Sequence, residues 1–243
     1  MNIRQIAKII FPDNIYCIRC ASIIDSTRPY ALCDDCIRNF HWTNKKTCDK
    51  CGKLMEDDGI YILCKDCRHD SHYFKKGFTC LMYGLYEKEL VLAFKYGKQG
   101  YMGEKLADMM MDRMEPEFEN GLNVDIVIPV PIHKKKLRQR GFNQAELMAR
   151  PLSKKWGLPL DCKTLIRTKS TPAMSNLTPF QRRGNIAGAF VIEKVKEGVV
   201  KDKSILLVDD VYTTGSTVDE CSKVLLAAGA KDVYVITLAA GAN

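Results

Sequence analysis

Four Cys-x-x-Cys pairs, Cys17/Cys20, Cys33/Cys36, Cys48/Cys51 and Cys64/Cys67, constrain this chain more than any other feature of it. Twelve residues separate the first pair from the second and the third from the fourth, and a shift of 31 residues lays the first four cysteines on the last four. The match extends past sulfur, because YALCDDC at 30–36 returns as YILCKDC at 61–67. Such self-similarity marks the tandem duplication of a small module. A Cys-x-x-Cys turn presents two thiolates to one ion, and two turns complete a tetrahedron around Zn²⁺. A module of ~30 residues buries too little surface to fold unaided, so metal binding supplies its folding free energy. The competing reading is four disulfides in a secreted domain. Residues 1–14 lack the apolar core and cleavage site of a secretory signal, and cytoplasmic thiols stay reduced. The expectation is two structural zinc sites filled in order, 17/20/33/36 and 48/51/64/67, with interleaved pairing left open.

Closed four-cysteine sites leave no coordination position for chemistry, so a structural platform is expected. Arg28, Arg38, Lys45, Lys46, Lys50 and Lys53 in the loops keep a nucleic-acid or protein contact surface in view. Trp42 and Tyr61 are expected in the module core rather than as stacking faces. Cys80, Cys162 and Cys221 fall outside the pattern and read as small buried residues. His41, His69, His72 and His133 read as solvent-facing, because the cysteines already fill both sites. Near the N-terminus, Ile3, Ile6, Ile9 and Ile10 space a short amphipathic helix ended by Pro12, expected to dock onto the protein rather than onto a partner or membrane. No apolar run approaches the length of a membrane span, and the chain reads as cytoplasmic. The net charge of +8 is a weak pointer to polyanions.

The 243 residues divide by character into 1–77, the N-terminal helix with its double zinc ribbon, and an α/β domain over 78–243. Helices are expected over 87–96, 106–114, 143–156 (Asn143 as cap) and about 218–228. Strands are expected over 124–131, 188–192, 204–208 and 233–238. Strands alternating with helices imply a parallel sheet with helices on both faces.

The second informative stretch is ILLVDDVYTTGST, 205–217. Ligands of parallel α/β sheets bind beyond the carboxyl ends of the strands. Here an apolar strand meets Asp209 and Asp210, then Thr213, Thr214, Gly215, Ser216 and Thr217, then a helix. That loop aims N–H groups and hydroxyls at one point, and with the helix dipole it suits a phosphate. The acids would repel a phosphate but suit neutral hydroxyls a ribose length away. Acids for the sugar and a nest for the phosphate describe a ribose 5-phosphate site. No GK[ST] follows, so this is not a Walker loop.

This stretch resembles the signature by which type I phosphoribosyltransferases bind 5-phosphoribosyl-1-pyrophosphate (PRPP). Nearly the whole chain resembles the ComF/GntX family of competence-associated phosphoribosyltransferase-like proteins, which join a double zinc ribbon to that domain. Phe94-Lys95-Tyr96, PVPIHKKKLRQRGFNQA (129–145) and RTKSTPAMSNLTPFQRRGNIAGAF (167–190) also carry the likeness. The resemblance implies that Asp209 and Asp210 hold the ribose 2′ and 3′ hydroxyls and that 213–217 hold the 5′-phosphate. It places a pyrophosphate loop after Pro131, crowded by Lys134, Lys135, Lys136, Arg138 and Arg140; the bland reading of that run is a solvated basic face. Residues 167–184, with Arg167, Arg182 and Arg183, correspond to a loop that closes over the reacting centre. Many relatives carry Gln at Met174, so a polar contact there is in doubt. In 6-oxopurine transferases an Asp base stands where this chain has Thr213, which argues against such an enzyme. Two readings follow. One is a competence protein in which PRPP (with Mg²⁺) or a related phosphoribosyl ligand governs contact with single-stranded DNA or uptake and recombination proteins, with Phe142 and Tyr96 as stacking faces. The other is a transferase with an unidentified acceptor; no catalytic residue is assigned.

Overall fold

The computed structural model describes residues 15–55, 61–97, 100–171, 178–193 and 196–241. The helix expected before Pro12 and the position of Met174 lie outside the described residues. The ribbons contain α1 (Asp34–Asn39) and α2 (Lys65–His69). After them come β1 (Lys76–Met82), α3 (Leu85–Tyr96), α4 (Met102–Glu119), β2 (Ile126–Pro129), α5 (Lys134–Arg140) and α6 (Gln144–Trp156). The chain ends with β3 (Leu165–Arg167), α7 (Pro179–Ile186), β4 (Phe190–Ile192), α8 (Glu197–Val200), β5 (Ser204–Tyr212), α9 (Ser216–Ala227) and β6 (Asp232–Ala240).

Four strands form a sheet in the order β1-β6-β5-β2, every neighbouring pair parallel. The α/β parallel sheet expected from the alternation is present. Parallel strands covered on both sides must be apolar on both sides, and β5 and β6 are. Successive residues point to opposite faces, so Leu206, Val208, Ile236 and Leu238 enter one core while Ile205, Leu207, Val233 and Val235 enter another. The two ribbons sit on opposite faces. Cys17 and Cys36 of the first belong to the core with α3, α4 and α6. All four cysteines of the second join the core with Phe74, β4 and α9.

Several strand assignments change, and β3 falls where no strand was expected. β1 was not anticipated: Gly77, Thr79 and Cys80 break up its apolar pattern, and its burial comes from α4 and the ribbons packed against it. β5 runs four residues past the apolar stretch, because backbone pairing continues through Asp209↔Thr237 and Val211↔Ala239 to Tyr212↔Ala240. The strand expected over 188–192 is the shorter β4, and it pairs antiparallel with β3 outside the main sheet.

Some side chains also sit elsewhere than expected. His72 is not solvent-facing: its side chain is 6% exposed and stacks on Phe74, centroids 4.9 Å apart. Lys53 is 2% exposed, with its ammonium 2.7 Å from Asp66. Tyr61 is exposed, under the guanidinium of Arg68 at 3.8 Å, and is no part of the module core. Trp42 packs between Tyr30 and Phe40 as expected of a core residue. Cys80 and Cys221 are buried, whereas Cys162 is only half-buried. Phe142 turns inward onto Phe94, so of the two expected stacking faces only Tyr96 is presented to solvent.

The second ribbon meets the sheet through glycine. Gly52 has φ +74°, and a Cβ there would lie 2.6 Å from Gly77 O and 2.8 Å from Phe78 Cα. The residue equivalent by the 31-residue repeat is Ala21, with φ 59°, on the exposed side of the first ribbon. The same left-handed turn tolerates a side chain there because nothing presses against it. Gly52→Ala should therefore destabilise by at least about 2 kcal/mol, the strain of a left-handed Ala plus the clash. At ~2–4 °C per kcal/mol, thermal melting should show a fall of roughly 4–8 °C, with Ala21→Gly at or slightly above the parent.

Candidate functional site

The carboxyl end of β5 builds the site. Asp209 and Asp210 close the strand, and the Asp210 N–H donates to Asp209 Oδ1 at 2.9 Å. Asp210 is paired with the Lys95 ammonium at 2.6 Å, at the end of α3. Burial opposes the charge on Lys95, but Asp210 and Asp209 outweigh it and raise its pKa above the ordinary value. Burial and then the repulsion of Asp210 push the Asp209 carboxyl up to about 7. Both effects favour the neutral form of the Asp209 carboxyl. A hydroxyl donating to it selects the ionised form and releases a proton.

Beyond the strand, residues 213–215 turn into α9. Gly215 has φ +75° and caps the helix without a side-chain hydrogen bond, leaving first-turn N–H groups for a ligand. The Thr214 and Ser216 hydroxyls lie 2.8 Å apart. Asp209 and residues 211–218 line a small bowl here. A twelve-residue helix with its positive end at this bowl favours an anion.

The bowl opens into a cavity of about 490 Å³, within the usual range of ligand sites. Asp209, Asp210, Thr213 and Thr217 form one side. Lys88, Lys95, Lys136, Arg140, Arg167 and Arg182 bring six cationic groups to the rest. Burial and then the charges of Arg167, Arg140 and Lys95 lower the pKa of Lys136, the mark of cations held together without enough anions. This cavity is built to receive several negative charges.

Of the eight basic residues assigned from sequence, Lys136, Arg140, Arg167 and Arg182 line this cavity. The expected loop at 134–140 is the short helix α5, which turns Lys134, Lys135 and Arg138 out to solvent. Arg183 grips Asp70 of the second ribbon through two hydrogen bonds of 2.9 and 2.6 Å. Such an exposed pair contributes ~0–1 kcal/mol, so it orients more than it stabilises.

Sequence reasoning missed Lys88, Lys95 and Gln144 as site residues. Lys95 lay inside the quoted Phe94-Lys95-Tyr96 motif, but its partner Asp210 is 115 positions away and no local pattern joins them. Gln144 is 2% exposed and lines the cavity. Arg140 donates to its Oε1 at 2.9 Å, which turns its Nε2 away, and that buried nitrogen has no partner. Arg167 Nε is likewise buried and unpartnered at the cavity wall. Buried donors left open in this way ask for a ligand acceptor.

The cysteines form two tetrads, Cys17/Cys20/Cys33/Cys36 and Cys48/Cys51/Cys64/Cys67, with ligand atoms within 4.8 Å of one another in each. The sequential pairing holds. Sulfur–sulfur distances of 3.6 Å for Cys17–Cys36, 3.7 Å for Cys20–Cys33 and 3.7 Å for Cys51–Cys64 are far beyond a disulfide bond. Zn–S bonds near 2.3 Å set tetrahedral sulfurs about 3.8 Å apart, so both tetrads fit the ion. No described helix is long and apolar enough to cross a membrane.

Comparison with known proteins agrees with this geometry. Residues 6–68 match the double zinc ribbon domain, and residues 137–243 the phosphoribosyl transferase domain. The chain is 32% identical over 148 residues to the DNA utilization protein YhgH of Salmonella typhimurium, covering 60% of this chain and 63% of that protein. It is 32% identical over 152 residues to competence protein F of Haemophilus influenzae, covering 62% and 66%. To competence protein ComFC of Streptococcus pneumoniae it is 34% identical over 111 residues, 46% of each chain. The aligned region thus spans less than two thirds of each of these relatives. The resemblance to the ComF family is borne out in the pairing of the two domains and in the names of these relatives.

Gln144→Met keeps the shape of the side chain and removes its open donor. Hydrogen bonds to charged groups contribute ~1.5–3 kcal/mol, so the affinity for inorganic pyrophosphate measured by calorimetry should fall at least about tenfold. Stability should fall by no more than ~3 kcal/mol, since the one protein bond lost is that from Arg140 to Gln144 Oε1.

Proposed function

We propose that this protein binds PRPP, as its Mg²⁺ complex, and acts in DNA uptake or utilisation through contact with single-stranded DNA or with proteins of that process. One observation carries the ligand: a single cavity joins an acid pair at a strand end, a donor-lined bowl and a wall of six cations. In this reading Asp209 and Asp210 accept from the ribose hydroxyls, and residues 213–217 take the 5′-phosphate on N–H and hydroxyl donors. Lys136, Arg140, Arg167 and Arg182 face the pyrophosphate, whose charge Mg²⁺ would share. Thr213 offers no base at neutral pH, so ligand binding is placed ahead of phosphoribosyl transfer. The names of the relatives point the same way, to DNA rather than to a nucleobase acceptor.

The nucleic-acid half of the reading rests on the outer face of α5. Lys134, Lys135 and Arg138 are exposed there, and Arg140 lies over the exposed ring of Tyr96 at 5.2 Å. Cations beside an aromatic face suit a strand whose phosphates are neutralised and whose bases stack.

Saturating PRPP with Mg²⁺ should raise the melting temperature, by ~2.7 kcal/mol of added stability at a hundred times Kd. Asp209→Asn combined with Asp210→Asn should abolish that rise; a full rise in the double variant would remove the ribose assignment. Affinity for a single-stranded oligonucleotide should fall steeply with salt. Replacing Lys134, Lys135 and Arg138 by Gln should flatten the log–log slope by about 2, at ~0.7 per lost phosphate contact, while leaving the PRPP response intact. Salt-independent binding, or none, would exclude the DNA role. Release of pyrophosphate on screening nucleobases would instead establish a transferase.

A further inference from the structure

The five residues that follow α2, Asp70 to Phe74, tie the second cysteine tetrad to the 213–217 loop and to the helices α9 and α7 beside it, at three separate points. At the floor, Tyr212 is the last residue of β5 and is buried. Its phenol lies so close beneath Gly215 that a Cβ there would come within 2.4 Å of the hydroxyl. The other side of the ring meets Phe74 edge-on, centroids 6.2 Å apart and planes at 89°. Phe74 and Tyr212 belong to the same packed core as Cys48, Cys51, Cys64 and Cys67. His72, stacked on Phe74, brings its Nε2 to 3.4 Å from the Tyr212 hydroxyl.

At the helix, the Tyr73 N–H donates to Asp219 Oδ1 at 2.6 Å, and His72 Nδ1 lies 3.5 Å from the same oxygen. Asp219 sits in the first turn of α9, the turn that offers its N–H groups to the bowl. At the rim, Asp70 takes the guanidinium of Arg183. A close-packed interior transmits displacement instead of absorbing it, so the conformation of the loop is set from below by the metal module.

Resting on the reading that this loop takes a sugar phosphate, we infer that the second zinc ribbon positions the phosphate-binding loop through Tyr212, making zinc occupancy of the second tetrad and sugar-phosphate affinity mutually dependent. Five of the six cations of the wall stand on α3, α5 and β3, outside the contacts made by Asp70 to Phe74, and only Arg182 shares α7 with Arg183, so free pyrophosphate should depend on the ribbon far less than a sugar phosphate does. Tyr212 is buried beneath the loop and acts on the ligand through its packing under Gly215; it is a positioning residue. The dependence is reciprocal, because a coupling free energy acts equally on both sites.

The test uses the full zinc-loaded chain, with ribose 5-phosphate and inorganic pyrophosphate as probes. Ribose 5-phosphate at saturation should shift the competition of one of the two zinc ions with a chromogenic chelator by about tenfold, within the usual range of such couplings, and pyrophosphate should not. Tyr212→Leu should lose that protection and bind ribose 5-phosphate at least about tenfold more weakly, while keeping two zinc ions and its pyrophosphate affinity. Tyr212→Phe, which retains the ring, should behave like the parent to within about threefold, as expected where packing carries the effect. If the parent binds ribose 5-phosphate without protecting zinc, or if Tyr212→Leu loses both probes equally, the coupling is overturned. If the parent binds no ribose 5-phosphate, the functional reading beneath it fails first.

Discussion

The architecture depends on a sheet whose two central strands are buried on both faces. A strand so placed cannot leave either side to water, because each face carries a row of apolar side chains. Helices cover part of each face, and one zinc ribbon completes each. The duplication thereby acquires a structural meaning: the copies are not stacked on one another but applied to opposite sides of one layer. They attach by related contacts. His41 of the first ribbon holds Glu87 in the first turn of α3, its N–H donating at 2.7 Å. Beside the equivalent histidine, His72, the Tyr73 N–H of the second ribbon holds Asp219 in the first turn of α9. Each ribbon seats one helix, and the two seated helices border the same cavity.

The cavity follows from that seating. α3 delivers Lys95 to Asp210, and α9 turns its positive end toward the bowl. The buried Lys95–Asp210 pair is better understood as an ordering device than as a source of stability, since desolvation offsets much of the attraction between buried charges. It ties the end of the strand to the cationic wall. What remains around the cavity is a group of cations and two buried open donors, Gln144 Nε2 and Arg167 Nε, an arrangement that suits an anionic ligand.

Several features could be read before any coordinates. The cysteine spacing identified the modules and favoured their sequential pairing, which the two tetrads then settled, because tetrahedral coordination is a local demand met by turns a dozen residues apart. The apolar runs of β5 and β6 and the acid pair with its small-residue loop were legible for the same reason. Other features were not. β1 has no clean pattern because its burial is imposed by neighbours distant in sequence. His72, Lys53 and Tyr61 have exposures that no spacing predicts. The basic run at 134–140 looked uniform, yet helix geometry sends Lys136 and Arg140 into the cavity and Lys134, Lys135 and Arg138 away from it.

The amino-acid sequence by itself thus determined the metal modules, the parallel α/β class, and the strand–acid–loop segment at which a sugar phosphate is proposed to bind. These are set by interactions within one turn, one strand or one loop, where chain connectivity fixes which atoms can meet. Only the tertiary structure decided which cations share the cavity, that Arg182 lines it while adjacent Arg183 pairs with Asp70, and that a zinc module lies beneath the loop. Those contacts join residues up to 146 positions apart, as Tyr73 and Asp219 are. They exist because the sheet offers two faces to cover, and a sequence does not state which module covers which.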